Sequence, residues 1–142
     1  MLFRSLPDFT RDDEYLRLLD EALARAFDQF AQNASQLAPS SPVAGATGLG
    51  GHGSRVADRG SRPGLIWYLA GADPYMEDQL GGLGLTMNGL KERDRKVIQA
   101  AKDRGIPLAV TFAGGYARRV EDTVQIHVNT VLAAREIFGK HA

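Results

Sequence analysis

Asp73 and Tyr116 are the two residues whose types and setting best suit chemistry. Each follows a short apolar run closed by glycine. Leu65-Ile66-Trp67-Tyr68-Leu69-Ala70 runs into Gly71-Ala72-Asp73-Pro74, and Leu108-Ala109-Val110-Thr111-Phe112 runs into Gly114-Gly115-Tyr116. In an open parallel sheet, ligands are handled just beyond the carboxyl ends of the strands, so a carboxylate and a phenol would reach the same rim. A carboxylate whose backbone is restricted by the following proline is a sound ligand for a cation such as zinc. The same residue is equally at home as a turn or helix cap. A phenol held over the strand ends could donate to a developing oxyanion, a contact worth about 3 kcal/mol when preorganised. It could also simply pack over a tight glycine turn.

The elements that would position these residues alternate along the chain. Strands are expected at 65–70 and 107–112, with helices at 86–104 and 118–138, a βαβα order that predicts a parallel pair with a right-handed crossover. Thr86 is a candidate helix cap, and Gly105 sits where a helix end favours a left-handed residue. Upstream, Tyr15, Leu16, Leu18, Leu19, Leu23, Ala26, Phe27 and Phe30 recur near the helical period, which predicts an amphipathic helix from Asp12 to about Ala31, capped by Thr10 or Asp12. Residues 33–62 are dominated by Gly, Ser, Pro and Ala. Such a stretch buries too little apolar surface to offset ordering entropy of roughly 1 to 2 kcal/mol per residue, so it reads as a disordered insertion. Parallel strands are normally covered on both faces and flanked by others, so the chain reads as part of a larger α/β domain.

Whole-chain chemistry narrows the partners. With 17 basic and 17 acidic residues the formal net charge is zero, which disfavours nucleic acid and anionic membranes as partners. No cysteine is present, so a metal site would use Asp, Glu or His, which fits a reducing compartment. The start of the sequence does not read as a signal peptide and no apolar stretch approaches the roughly 20 residues of a membrane helix, so a cytoplasmic setting is expected. Gly81-Gly82-Leu83-Gly84 lacks the Lys-Ser/Thr of a phosphate loop. The mixed-sign clusters 91–96 and 118–122 read as solvated helix faces with local ion pairs.

The string Gly71-Ala72-Asp73-Pro74-Tyr75-Met76-Glu77-Asp78-Gln79-Leu80-Gly81, followed by Leu85-Thr86, Gly89-Leu90, Arg93-Asp94, Gly105-Ile106-Pro107 and Gly114-Gly115-Tyr116, closely resembles the carboxyl-terminal portion of the histone deacetylase superfamily, nearest to bacterial and class IV members. Leu6-Pro7 and Asp12-Asp13-Glu14-Tyr15-Leu16 resemble the segment just before it, with Phe9 where a glycine is usual. The likeness covers roughly residues 5 to 31 and 62 to 138. It implies a partial three-layer α/β/α parallel sheet of the arginase/deacetylase type across the 142 residues. It further implies that Asp73 is a zinc ligand, that Tyr116 is the catalytic tyrosine polarising the acyl carbonyl, that Leu80 is a wall of the acyl-lysine tunnel, and that Gly114 and Gly115 lie under it. In that family zinc polarises an amide carbonyl and activates water, with a histidine as general base.

The family's other zinc ligands come from an Asp-x-His motif and its bases from a His-His pair, and neither motif occurs in this sequence. His52, His127 and His141 are expected to be packed or solvated. The resemblance therefore places the remaining chemistry in sequence preceding Met1, and the chain alone is expected neither to hold Zn2+ tightly nor to hydrolyse acetyl-lysine. Two readings follow. In one, the chain is the carboxyl-terminal part of a zinc-dependent deacetylase acting on an acetylated protein or small amine, either a truncated gene product or one half of a split protein completed by a separate amino-terminal half-domain chain, with a homo-oligomer as the other partner expected. In the other, it is a non-catalytic remnant or binding module derived from that fold.

Overall fold

The computed structural model describes residues 6–37 and 63–139. Three helices and two strands follow in the order α1 (Asp12–Leu37), β1 (Ile66–Gly71), α2 (Met87–Asp103), β2 (Leu108–Ala113) and α3 (Val120–Phe138). The strands pair in parallel, with Ile66 opposite Leu108 and Gly71 opposite Ala113, so both end at the same level. That shared ending is the α/β geometry expected from the alternation of elements. Helix α1 extends through Leu37, beyond the expected Ala31 and into the segment read as an insertion. The rest of that segment, with His52 and His141, lies outside the described residues.

Alternation along the strands sets their two faces. Tyr68, Ala70, Leu108 and Phe112 turn toward the helices: the Tyr68 hydroxyl meets Asp94 of α2, Leu108 packs with Ile98, Ala133 and Ile137, and the Phe112 ring lies 4.9 Å from that of His127 on α3. On the opposite face Trp67 and Leu69 are 68% and 65% exposed. Apolar strands were expected to be covered on both sides, yet only one side is covered by described residues. Helix α3 is likewise two-faced. Ile126, Thr130, Ala133 and Ile137 are buried, whereas Val120, Val124, Val128 and Val131 form a second, exposed apolar stripe.

The ends of α2 follow its sequence. Thr86 Oγ1 accepts the Gly89 N–H at 3.0 Å, the expected amino-terminal cap. At the other end Gly105 has φ of 61°, its N–H donates to Lys102 O, and the Ile106 N–H reaches back to Ala101 O. Those paired bonds form a Schellman motif around a left-handed glycine. Asp12 does not serve as a private cap for α1. Its carboxylate accepts the Thr86 N–H at 2.9 Å and the Thr86 hydroxyl at 2.6 Å, joining the starts of α1 and α2. Thr10 donates its hydroxyl to Pro7 O instead. Further along, Lys96 pairs with Asp20 at 2.8 Å, and the Arg104 guanidinium lies 3.9 Å above the Phe27 ring.

Candidate functional site

The site grows out of the two strand ends. The Ala72 N–H donates to Ala113 O at 2.9 Å, which carries the pairing one residue past β1. The chain then turns: Tyr75 N–H donates to Ala72 O at 3.1 Å, Leu85 N–H to Pro74 O at 3.0 Å, and Met76 N–H to Leu85 O at 2.8 Å. Asp73 is held at the top of this turn and is exposed. Its carboxylate leans across the end of β2. A Cβ placed on Gly114 would stand 2.7 Å from Asp73 Oδ1 and 3.3 Å from its Cγ, and Gly114 has φ of +59°. Close approach and a left-handed backbone both require glycine there. Asp73 and Gly114, expected at the same rim, are in contact.

Tyr116 follows Gly115, whose φ is +111°, and its side chain is exposed. Its backbone is fixed by the loop after Asp73. Gln79 donates to Tyr116 O from its backbone N–H at 3.0 Å and from Nε2 at 3.1 Å, and the Arg118 N–H donates to Glu77 O at 3.1 Å. Asp78 closes the arrangement. Its Oδ2 accepts the Tyr116 N–H at 2.5 Å, while Oδ1 accepts the Leu80 N–H at 2.9 Å and the Gly81 N–H at 2.8 Å. Partial desolvation works to raise the Asp78 carboxyl, but these three backbone donors outweigh it and hold the group below its ordinary value. Leu80 stands exposed on the same loop.

A third segment borders this loop. The Phe9 N–H donates to Gly82 O at 2.7 Å, and the Gly84 N–H donates to Thr10 O at 3.0 Å. Phe9 has φ of 60° and is 79% exposed. A bulky residue in that conformation is strained, and the backbone at Phe9 is one suited to glycine.

Behind the turn lies a buried polar cluster that contradicts the reading of 91–96 as a solvated face. Arg93 and Asp94 are only 3% and 0% exposed. Arg93 Nη1 donates to Gly71 O at 2.6 Å and Nε to Asp94 Oδ1 at 2.9 Å; Nη2, 2.8 Å from the same oxygen, completes the ion pair without alignment as a hydrogen bond. The Tyr68 hydroxyl donates to Asp94 Oδ1 at 2.5 Å and Thr130 Oγ1 donates to Oδ2 at 2.6 Å. Burial, with the Asp94 charge adding to it, pushes the Tyr68 phenol far up despite the opposing Arg93 charge. The sequence carried a signal for this: Asp94 falls in the apolar stripe Leu90, Val97, Ile98, Ala101. Asp78 also had one, since an Asp shortly before Gly81-Gly82 suits an Asx turn.

His127 of α3 is half-buried against Phe112 of β2, so of the packed or solvated roles expected it takes the packed one. A catalytic zinc needs about three converging protein groups. Among the described residues no three of His, Cys, Asp and Glu come together in a way that could hold a metal. Asp73 has the right chemistry for one ligand, but the described residues do not by themselves fit the ion.

Comparison with known proteins agrees with the geometry. The sequence model of the histone deacetylase domain matches residues 56–131. Over 77 residues, 54% of the chain, the sequence is 38% identical to an uncharacterized protein of Picosynechococcus sp., covering 26% of that protein. Over 120 residues, 82% of the chain, it is 32% identical to Histone deacetylase 2 of Arabidopsis thaliana, covering 23% of it. The chain thus spans about a quarter of the length of these curated relatives.

Proposed function

The chain belongs to the histone deacetylase family, and from that premise we propose that it supplies the carboxyl-terminal part of a zinc-dependent site hydrolysing acetyl-lysine or a related acetylated amine. The observation that carries this reading is the delivery of Asp73 and Tyr116 from adjacent parallel strand ends, with the Asp73 carboxylate lying against Gly114. In this reading the Asp73 carboxylate would be one ligand of a zinc held mainly by residues outside this chain's described part, and that zinc would supply Lewis-acid chemistry at the amide. The Tyr116 phenol donates a hydrogen bond to the acyl oxygen as negative charge develops there. Leu80 forms an apolar wall beside the acylated side chain, and Gly114 and Gly115 leave the floor of the channel clear of side chains.

The remaining ligands and the base would come from an amino-terminal half-domain outside the described residues; a second copy of this chain would cover apolar surface but carries neither missing motif. Support for such a covering partner comes from the exposed Trp67 and Leu69 on the uncovered sheet face and the valine stripe of α3. Apolar surfaces of that kind belong against other elements of a three-layer fold.

A chimera tests the proposal. The matched segment of the Arabidopsis enzyme is replaced by the 120-residue stretch of this chain aligned with it, and deacetylation of an acetyl-lysine peptide is followed. An active chimera whose kcat drops about a hundredfold or more on Tyr116→Phe, and which loses zinc on Asp73→Ala, supports the assignment. A folded, active chimera indifferent to both substitutions would refute it.

A further inference from the structure

We infer that Asp78 is the positioning residue that fixes the Tyr116 phenol and the Leu80 wall relative to one another. The inference rests on the deacetylase reading for its catalytic meaning, but its geometry stands independently. One carboxylate binds two separate segments: Oδ1 takes the N–H groups of Leu80 and Gly81, and Oδ2 takes the N–H of Tyr116. Because its two oxygens lie on one rigid plane, a shift of either segment must break a bond or move the other segment with it.

The link acts where the two side chains themselves have little packing. Tyr116 and Leu80 have exposed side chains, so packing does not hold them. Gly114 and Gly115 before Tyr116, and Gly81 and Gly82 after Leu80, permit a wide range of backbone conformations. Gln79 holds the Tyr116 carbonyl, so Asp78 and Gln79 together grip both polar groups of the Tyr116 backbone. Catalytic donors lose most of their effect when displaced by about 1 Å, which makes such a grip consequential.

Acceptance by both oxygens separates this role from a general structural one. In Asp78→Asn the remaining oxygen can still accept the Leu80 and Gly81 N–H groups, but the amide NH2 then faces the Tyr116 N–H, donor against donor. The test is amide exchange and proton shift by NMR on the 142-residue chain. Asp78→Asn should move the Tyr116 amide upfield and speed its exchange about tenfold, with Leu80, Gly81 and the α2 amides unchanged; Asp78→Ala should release all three loop amides. An unaltered Tyr116 amide in both variants, or equal loss of protection throughout α2, would overturn the inference. In the active chimera, Asp78→Asn should lower kcat about tenfold and leave KM within about twofold. An unchanged kcat there would also overturn it, whereas failure of the unsubstituted chimera would count against the deacetylase reading and leave the exchange result to decide the link.

Discussion

Arg93 Nη1 donates to the carbonyl oxygen of Gly71 at 2.6 Å, tying helix α2 to the end of β1 two residues before Asp73. The guanidinium also meets Asp94, whose carboxylate receives Tyr68 and Thr130. This cluster is where the exposed rim connects to the core.

Removing the Arg93 charge should therefore be costly. Arg93→Met strands a buried Asp94 and leaves Gly71 O without its donor, so urea unfolding should show a loss of about 3 kcal/mol. Thr130→Val removes one donor to the same carboxylate and should cost about 1 to 3 kcal/mol. Near-wild-type stability in both would show the cluster to be incidental.

Gly89 gives a prediction with a change of sign. A Cβ there would meet Asp12 Oδ1 at 2.0 Å, so Gly89→Ala should destabilise by about 1 to 3 kcal/mol despite the better helix propensity of alanine. In an Asp12→Ala background the obstruction is gone. The same substitution should then be neutral or stabilising by up to about 1 kcal/mol, a coupling that a double-mutant cycle reads directly.

Phe9 should tolerate glycine and resist a β-branched residue. Relief of the left-handed strain is worth about 1 to 2 kcal/mol, partly cancelled by the added freedom of glycine in the unfolded chain. Phe9→Gly should leave the melting temperature unchanged or raise it, whereas Phe9→Val should lower it.

The pH response of the rim follows from Asp78. Its folded value is depressed, so the stabilisation from its three N–H bonds is fully present above the ordinary aspartate value of about 3.9 and is lost as pH falls through the lower, folded value. Amide shifts of Leu80, Gly81 and Tyr116 should stay flat from neutral pH down to about 4 and then move together. Movement near pH 6 would assign the effect to another group.

The order of elements, the caps at Thr86 and Gly105, and the strand ends bearing Asp73 and Tyr116 were legible because each rests on local chemistry that the fold does not override. Side-chain partnerships across the fold were less so. Arg93 and Asp94 sit in a run of six charged residues, 91–96, which looks solvated until the stripe through Leu90, Val97 and Ile98 is seen to pass through Asp94. Asp12 lies at the start of α1 and looks like its cap, but a residue 74 positions away competes for its carboxylate. The two-sided grip of Asp78 depends on Tyr116 arriving from the neighbouring strand, which no local pattern announces.

As proposed, this chain carries one metal ligand and the carbonyl-facing phenol of a deacetylase site, and requires other residues to complete it. Zinc titration of the pure 142-residue chain, with an acetyl-lysine peptide assayed in parallel, tests it most directly. The expected result is only weak zinc binding and no zinc-dependent hydrolysis. Submicromolar zinc affinity together with zinc-dependent deacetylation by the chain alone would contradict it.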